Sequence, residues 1–565
     1  MKNLDKKEGR VVPSVEQLKK LFIMPDSPDK FLEFGHELLD LIHNFFKEKG
    51  GIHSEISLPE LAKLFSDISI PVHPHLWTDV IKEIKNNIIA HSVKVGNPYY
   101  IGHMTSAIPY FMILLEMIIA ALNQNQVKIE TAKSSTFVER ELISWIHRLI
   151  YNRSPRFYKK NIQNPSVALG NITLDGTIAN LTAMLVARNR AFPPEGRFPG
   201  IRKAGVYEAY RHYGCKKAVI LVSQRGHYSI EKISRIIGLG EDNVIKIPVD
   251  SYNRINLHAL AKACAEIAEH NRNSTEKVKI ISLIGIAGTT ETGNIDHLWE
   301  MREIADDHDT FFHVDAAWGG SVLLVNQYRH MFKGIEMADS VTFDAHKLLY
   351  SPLSMGMILF RRETDLNFLR HTSNYVIRPD SVDQGRFTVE GSRPFSCLKP
   401  WVTFKLFGSE GFRLLFEHAF ELTSILRGLI EGHCNFEPMN LPELFIFNYR
   451  YVPQKIQERL EILMRRVEDH QDPTGESRNR IKRINHVLNQ LNVELHRAIR
   501  QEDNSFVSRT MLESTQYKPQ KLVVLRSITV NPLTTPAILR EIVEEQDRLG
   551  TKIYRSQFAG KLDSL

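Results

Sequence analysis

Apolar residues recur at helical spacing in FLEFGHELLDLIHNFFKEK and LWTDVIKEIKNNIIAHSV, so residues 1 to about 150 read as mostly helical. From about 165 to 370 the pattern changes. Short β-rich runs, KKAVILVS (216–223), VKIISLIGIAG (278–288), TFFHVD (310–315), DSVTFD (339–344) and GMILFRR (356–362), alternate with helical segments such as SIEKISRIIG and LHALAKACAEIAEHN. That alternation predicts a largely parallel sheet covered by helices, with any ligand site in the loops at strand ends. Beyond about 390 the pattern predicts a helix from Lys399 to Gly432, a strand in PELFIFNYRYV, a helix around RIKRINHVLNQLNVELHRAI, and a strand then a helix in KLVVLRSITVNPLTTPAILREIVEEQDRL. Three regions follow: a helical segment 1–95 expected to form dimer contacts, an α/β region 96–390, and a small α+β region 391–565. The greasiest run, IPYFMILLEMIIAAL from Ile108 to Leu122, contains Glu116 and is shorter than the ~20 residues of a membrane span. It predicts a buried helix at a subunit interface.

Composition narrows the class. At 565 residues, 43% hydrophobic and 24% charged, the chain is a large globular protein rather than a rod or a disordered tail. The net charge of +7 is a small excess of 72 basic over 65 acidic side chains. The densest basic stretch, Arg465 to Arg483, is interleaved with Glu468, Asp469, Asp472 and Glu476, so it predicts a solvated face rather than a nucleic-acid footprint. Cys215, Cys264, Cys397 and Cys434 lie far apart with no metal-ligand spacing; reduced thiols in a cytoplasmic protein, and no metal, are the expectation. The opening MKNLDKKEGRVVPSVEQLKKLF has charges where a signal peptide has its apolar core, so neither export nor a membrane is expected.

Candidate chemistry gathers at strand ends. Lys347 follows the run DSVTFD. Asp315 closes FFHVD and is followed by Ala316, Ala317, Gly319 and Gly320, small enough for a flat ligand to approach. His227 follows AVILVS, and Asp175, Gly176 and Thr177 open a helix whose first unpaired amides suit a phosphate. Singly these are turn and cap residues. Together they meet the needs of pyridoxal 5'-phosphate: an amine for its aldehyde, a helix start for its phosphate, a carboxylate that keeps the ring nitrogen protonated, and an imidazole to stack on the ring.

The segments HVDAAWGG, DAHK, VSQRGHYS and GTIANLTAMLVARN resemble the group II pyridoxal-phosphate-dependent amino acid decarboxylases, and FTVEGSRP with DAHK is similar to the bacterial aspartate 1-decarboxylase or glutamate decarboxylase branch. The resemblance implies a fold type I α/β enzyme whose region 96–390 binds the cofactor. It implies that Lys347 forms the Schiff base, with His346 near the phosphate. Asp315 would pair with the ring nitrogen, Ala317 would pack on one ring face and His227 would stack on the other. Gly176, Thr177 and Ser340 match phosphate positions, and Thr290 matches one near the ring substituents. Arg393 matches an arginine for the substrate α-carboxylate, and its planar fork suits that role. Tyr375 stands where relatives carry a proton donor on a loop. His103 and Thr105 resemble positions near the substrate side chain that are contributed across the subunit boundary, and Arg378 is a further cation for a distal carboxylate.

The chain departs from many relatives in reading Leu174-Asp175 before Gly176, and Asp344-Ala345 where they have Asn-Pro. A carboxylate beside a phosphate repels it, so Asp175 is expected to point away or to cap the helix. The implied reaction is decarboxylation of an acidic L-amino acid, aspartate to β-alanine or glutamate to 4-aminobutyrate, by a homodimer. Decarboxylation of an aromatic amino acid or tyrosine is the rival reaction, and a non-catalytic cofactor-binding protein the rival class.

Overall fold

The computed structural model describes residues 14–48, 50–373 and 381–565. Seven strands form the larger sheet: β1 (Gly170–Thr173), β2 (Cys215–Ser223), β3 (Val244–Ile247), β4 (Lys277–Ile286), β5 (Phe311–Asp315), β6 (Ser340–Asp344) and β7 (Gly356–Phe360). Their order is β1-β7-β6-β5-β4-β2-β3. β2 to β6 are mutually parallel, and β7 runs antiparallel to both its neighbours. β5, β6 and β7 are buried along nearly their whole length, as befits a sheet covered on both faces. The fold is therefore α/β, with the mostly parallel sheet of the fold type I enzymes.

A second sheet, in the order β10-β11-β9-β8, is wholly antiparallel: β8 (Phe436–Pro438), β9 (Ile446–Tyr451), β10 (Ser508–Glu513) and β11 (Lys521–Ile528). The helices Glu476–Glu502 and Pro536–Ile553 pack on it. Both sheets feed apolar side chains into continuous cores, and the helix Leu398–Glu431, kinked at Gly408, lends residues to each.

Within one chain the greasiest run is only partly buried. The helix Tyr110–Leu122 buries only Met112 and Ile119, while Tyr110, Leu114, Met117, Ile118 and Leu122 face solvent. Its apolar residues run all the way round, and a single chain covers one side of it.

Candidate active site

The C-terminal ends of the parallel strands converge on a cavity of about 200 Å³ lined by Gly176, Thr177, His227, Thr290, Asp315, Ala317, His346 and Lys347, among others. They follow or close five different strands, β1, β2, β4, β5 and β6, which is where a sheet of this kind gathers a ligand. Gly176 begins the helix Gly176–Ala191 directly after β1. Asp175 caps that helix, its carboxylate accepting from Ile178 N at 2.9 Å, so its charge is engaged as a cap. A Cβ on Gly176 would lie 2.9 Å from Asp344 Oδ2; glycine keeps this wall open. Gly288, at φ +99, lets the chain turn past Trp318 after β4.

Lys347 Nζ lies 3.1 Å from Asp344 Oδ2, and His346 Nε2 lies 3.6 Å from the same oxygen. Asp344 is buried, and its Oδ1 has no partner among the described residues. Burial pushes its carboxyl up, against the pull of the Lys347 and His346 charges. Across the cavity the Asp315 carboxylate accepts from Asn180 Nδ2 at 2.8 Å and from Ala317 N at 3.2 Å. His227 Nδ1 is held 2.8 Å from Ser229 Oγ. Burial lowers the basicity of His227, the Asp315 charge opposes this, and Lys347 adds to it.

Two expected residues lie elsewhere. Ser340 begins β6, at the end of the strand away from the cavity, and its hydroxyl is fully buried 2.8 Å from His313 Nδ1. It does not line the cavity. Arg393 is buried against Glu139, Nη2 to Oε1 at 3.0 Å, with Nη1 donating to Ile172 O at 3.1 Å, and does not line the cavity. Its guanidinium is a structural ion-pair partner. His103 lies outside the lining, Nδ1 2.8 Å from Thr105 Oγ1, but within reach of the charges of Arg526 and Lys347, which add to partial desolvation in lowering its basicity. Tyr375 and Arg378 lie outside the described residues.

Sequence reasoning missed Arg526. It sits on β11, 8% exposed; Nη2 donates to the carbonyl of Thr290, which lines the cavity, and Nε is buried without a partner among the described residues. No carboxylate lies at ion-pair distance from it among the described residues. Burial brings it down to about 10, so it stays cationic near neutrality. The signal was an arginine inside the otherwise apolar run KLVVLRSI. Asn180 was missed too, although it lies one helical turn past Gly176 and so on the same side of the helix.

An amine, a carboxylate that accepts from two donors, a weakly basic imidazole, a small residue at Ala317 and the first amides of a helix are the groups that pyridoxal 5'-phosphate needs. Fold and site together define a pyridoxal-phosphate-dependent enzyme. The family model described as the pyridoxal-dependent decarboxylase conserved domain matches residues 59–452, and the chain belongs to that family. It is thus a carboxy-lyase that uses pyridoxal 5'-phosphate to decarboxylate an amino acid. It is 38% identical over 538 residues to aspartate 1-decarboxylase of Aliivibrio fischeri, covering 95% of each chain. To mouse cysteine sulfinic acid decarboxylase it is 28% identical over 410 residues, 71% of this chain and 77% of that one. The crystal structure of mouse CSAD shares the fold at a TM-score of 0.75 and 22% identity, over 92% of this chain and 99% of that chain. Oryza sativa TDC with PLP and tryptamine does so at 0.76 and 17%, over 94% of this chain and all of that chain.

Proposed function

We propose that this enzyme decarboxylates an acidic L-amino acid, with aspartate giving β-alanine as the preferred reaction and glutamate giving 4-aminobutyrate as its near relative. The observation that carries this reading is a cavity holding Lys347 and Asp315 together, with the buried cation Arg526 bonded to its rim at Thr290. Similarity to an aspartate 1-decarboxylase across 95% of both chains, and to enzymes named for cysteine sulfinic acid, supports an acidic side chain.

When bound, the pyridoxal group supplies the aldehyde that captures the substrate amine and the electron-poor ring that takes up the electron pair as carbon dioxide leaves. Asp315 keeps the ring nitrogen protonated; its two donors hold it as an acceptor, and a fixed charge at this point is worth several kcal/mol to the reaction. His227, weakly basic and half-buried, offers a flat neutral face. Gly176, Thr177 and His346 would hold the phosphate, and Thr290 would stand near the ring substituents. Lys347 anchors the group, and Asp344 steadies its amine. Arg526 takes over the carboxylate role expected of Arg393, with His103 and Thr105 beside it for the distal group. Tyr375 remains the proposed proton donor to the α-carbon.

The exposed apolar residues of the helices Phe31–Lys47 and Tyr110–Leu122 support a homodimer that covers them. Four unpaired cysteines fit a reducing, cytoplasmic setting. The test is carbon dioxide release from aspartate, glutamate, cysteine sulfinate and tyrosine under one set of conditions. Aspartate is expected to give the highest kcat/KM, and a preference for tyrosine overturns the acidic assignment.

A further inference from the structure

Behind Asp315 lies a buried hydrogen-bond network with no role in the chemistry described so far. Alternation along β5 puts His313 and Asp315 on one face of the sheet, and the parallel register sets Ser340 of β6 beside His313 and Thr342 beside Asp315. Asn180 reaches this face from the helix above. Its Nδ2 donates to Asp315 Oδ2 at 2.8 Å, while its Oδ1 accepts from Thr342 Oγ1 at 2.6 Å and lies 2.9 Å from His313 Nε2. His313 Nδ1 lies 2.8 Å from Ser340 Oγ. His313, Ser340 and Thr342 are fully buried and Asn180 nearly so.

The protons follow from the chemistry of these groups. A carboxylate only accepts, so Asn180 turns its amide nitrogen to Asp315 and its oxygen to His313 and Thr342. His313 therefore carries its hydrogen on Nε2, and its Nδ1 accepts from the Ser340 hydroxyl. Burial pushes the imidazole down to about 4, so it is neutral at physiological pH.

We propose that His313 is a positioning residue that acts through Asn180: its Nε2–H locks the Asn180 amide, and the locked amide aims the Asp315 carboxylate at the cofactor ring nitrogen. The proposal rests on the assignment of Asp315 to that nitrogen. In this arrangement Ser340 is the residue that fixes the His313 tautomer.

The test compares two cofactors on the cofactor-free protein, pyridoxal 5'-phosphate and its analogue with a carbon in place of the ring nitrogen, with binding followed by quenching of protein fluorescence. His313→Leu removes the donor; His313→Gln restores an N–H near the Nε2 position. His313→Leu is expected to weaken pyridoxal phosphate about tenfold, the worth of one hydrogen bond to a charged network, and to leave the carbon analogue within about twofold. His313→Gln is expected to recover most of the loss. If His313→Leu does not fold, Thr342→Val, which removes the other donor to the same Asn180 oxygen, serves for the same comparison. Equal losses for both compounds, or none for either, overturn the positioning role. Should the unaltered protein bind both compounds equally, the Asp315 assignment fails, and the His313 proposal with it.

Discussion

Arg393 and Arg526 are both buried, and their partners set them apart. Arg393 forms two N–H···O contacts with the Glu139 carboxylate and a third with the Ile172 carbonyl, whereas Arg526 meets the Thr290 carbonyl and the Ser508 hydroxyl. Breaking a buried ion pair leaves an uncompensated charge, so Arg393→Gln is expected to cost about 3–5 kcal/mol of stability. With substrate saturating and the protein kept cold, its KM should stay near that of the parent. Arg526→Gln has no such carboxylate to strand. Its Tm is expected to remain close to the parent's while KM rises tenfold or more, the scale of a lost hydrogen bond to a charge. Thermal melts and steady-state kinetics on both variants separate the roles; a KM effect confined to Arg393→Gln would return the carboxylate site to the sequence-based assignment.

At the scale of elements, the start of the helix Gly176–Ala191 sets one wall of the cavity. Gly176→Ala places a methyl against Asp344 and into the proposed phosphate seat, so cofactor affinity is expected to fall about tenfold with helix content unchanged. Titrating the cofactor-free protein by visible absorbance, with circular dichroism as control, checks this; unaltered affinity contradicts the placement of the phosphate. The same elements explain what the sequence disclosed. β2, β4, β5, β6 and β7 were legible because they are continuous apolar runs, whereas β1, β3 and β8 are four residues or shorter and too brief for any period to declare itself. Lys347, Asp315, His227 and Gly176 were legible because each stands where a strand ends or a helix begins. Ser340 was matched to a phosphate position by resemblance alone, and it opens β6, whereas the cavity lies at the other end of that strand. Arg526 was hidden because β11 belongs to the second sheet, and only the packing of that sheet against the loop after β4 brings it to Thr290.

At the scale of the whole molecule, the helix Ser134–Tyr151 fastens the helical region to the main sheet through His147. Its Nε2 donates to the Phe360 carbonyl at 3.1 Å and its Nδ1 lies 2.8 Å from the Tyr158 hydroxyl, with the imidazole itself fully buried. Burial drives this imidazole down to about 3, against 6.5 in an open chain. Between those values the unfolded chain holds a proton that the folded one refuses, so this group lowers stability as pH falls from about 6.5 and has no such effect above it. His147→Gln removes that penalty along with a hydrogen bond. The variant's deficit in Tm is therefore expected to be largest near pH 7.5 and to shrink towards pH 5, and a deficit that grows on acidification contradicts a neutral buried His147. The arrangement that everything else depends on is the meeting of Lys347 and Asp315, from separate strands, around one pyridoxal ring. Borohydride reduction of the cofactor-loaded enzyme followed by peptide mass mapping tests it most directly. The cofactor mass is expected on the peptide that contains Lys347; finding it on another lysine, or on none, contradicts the site.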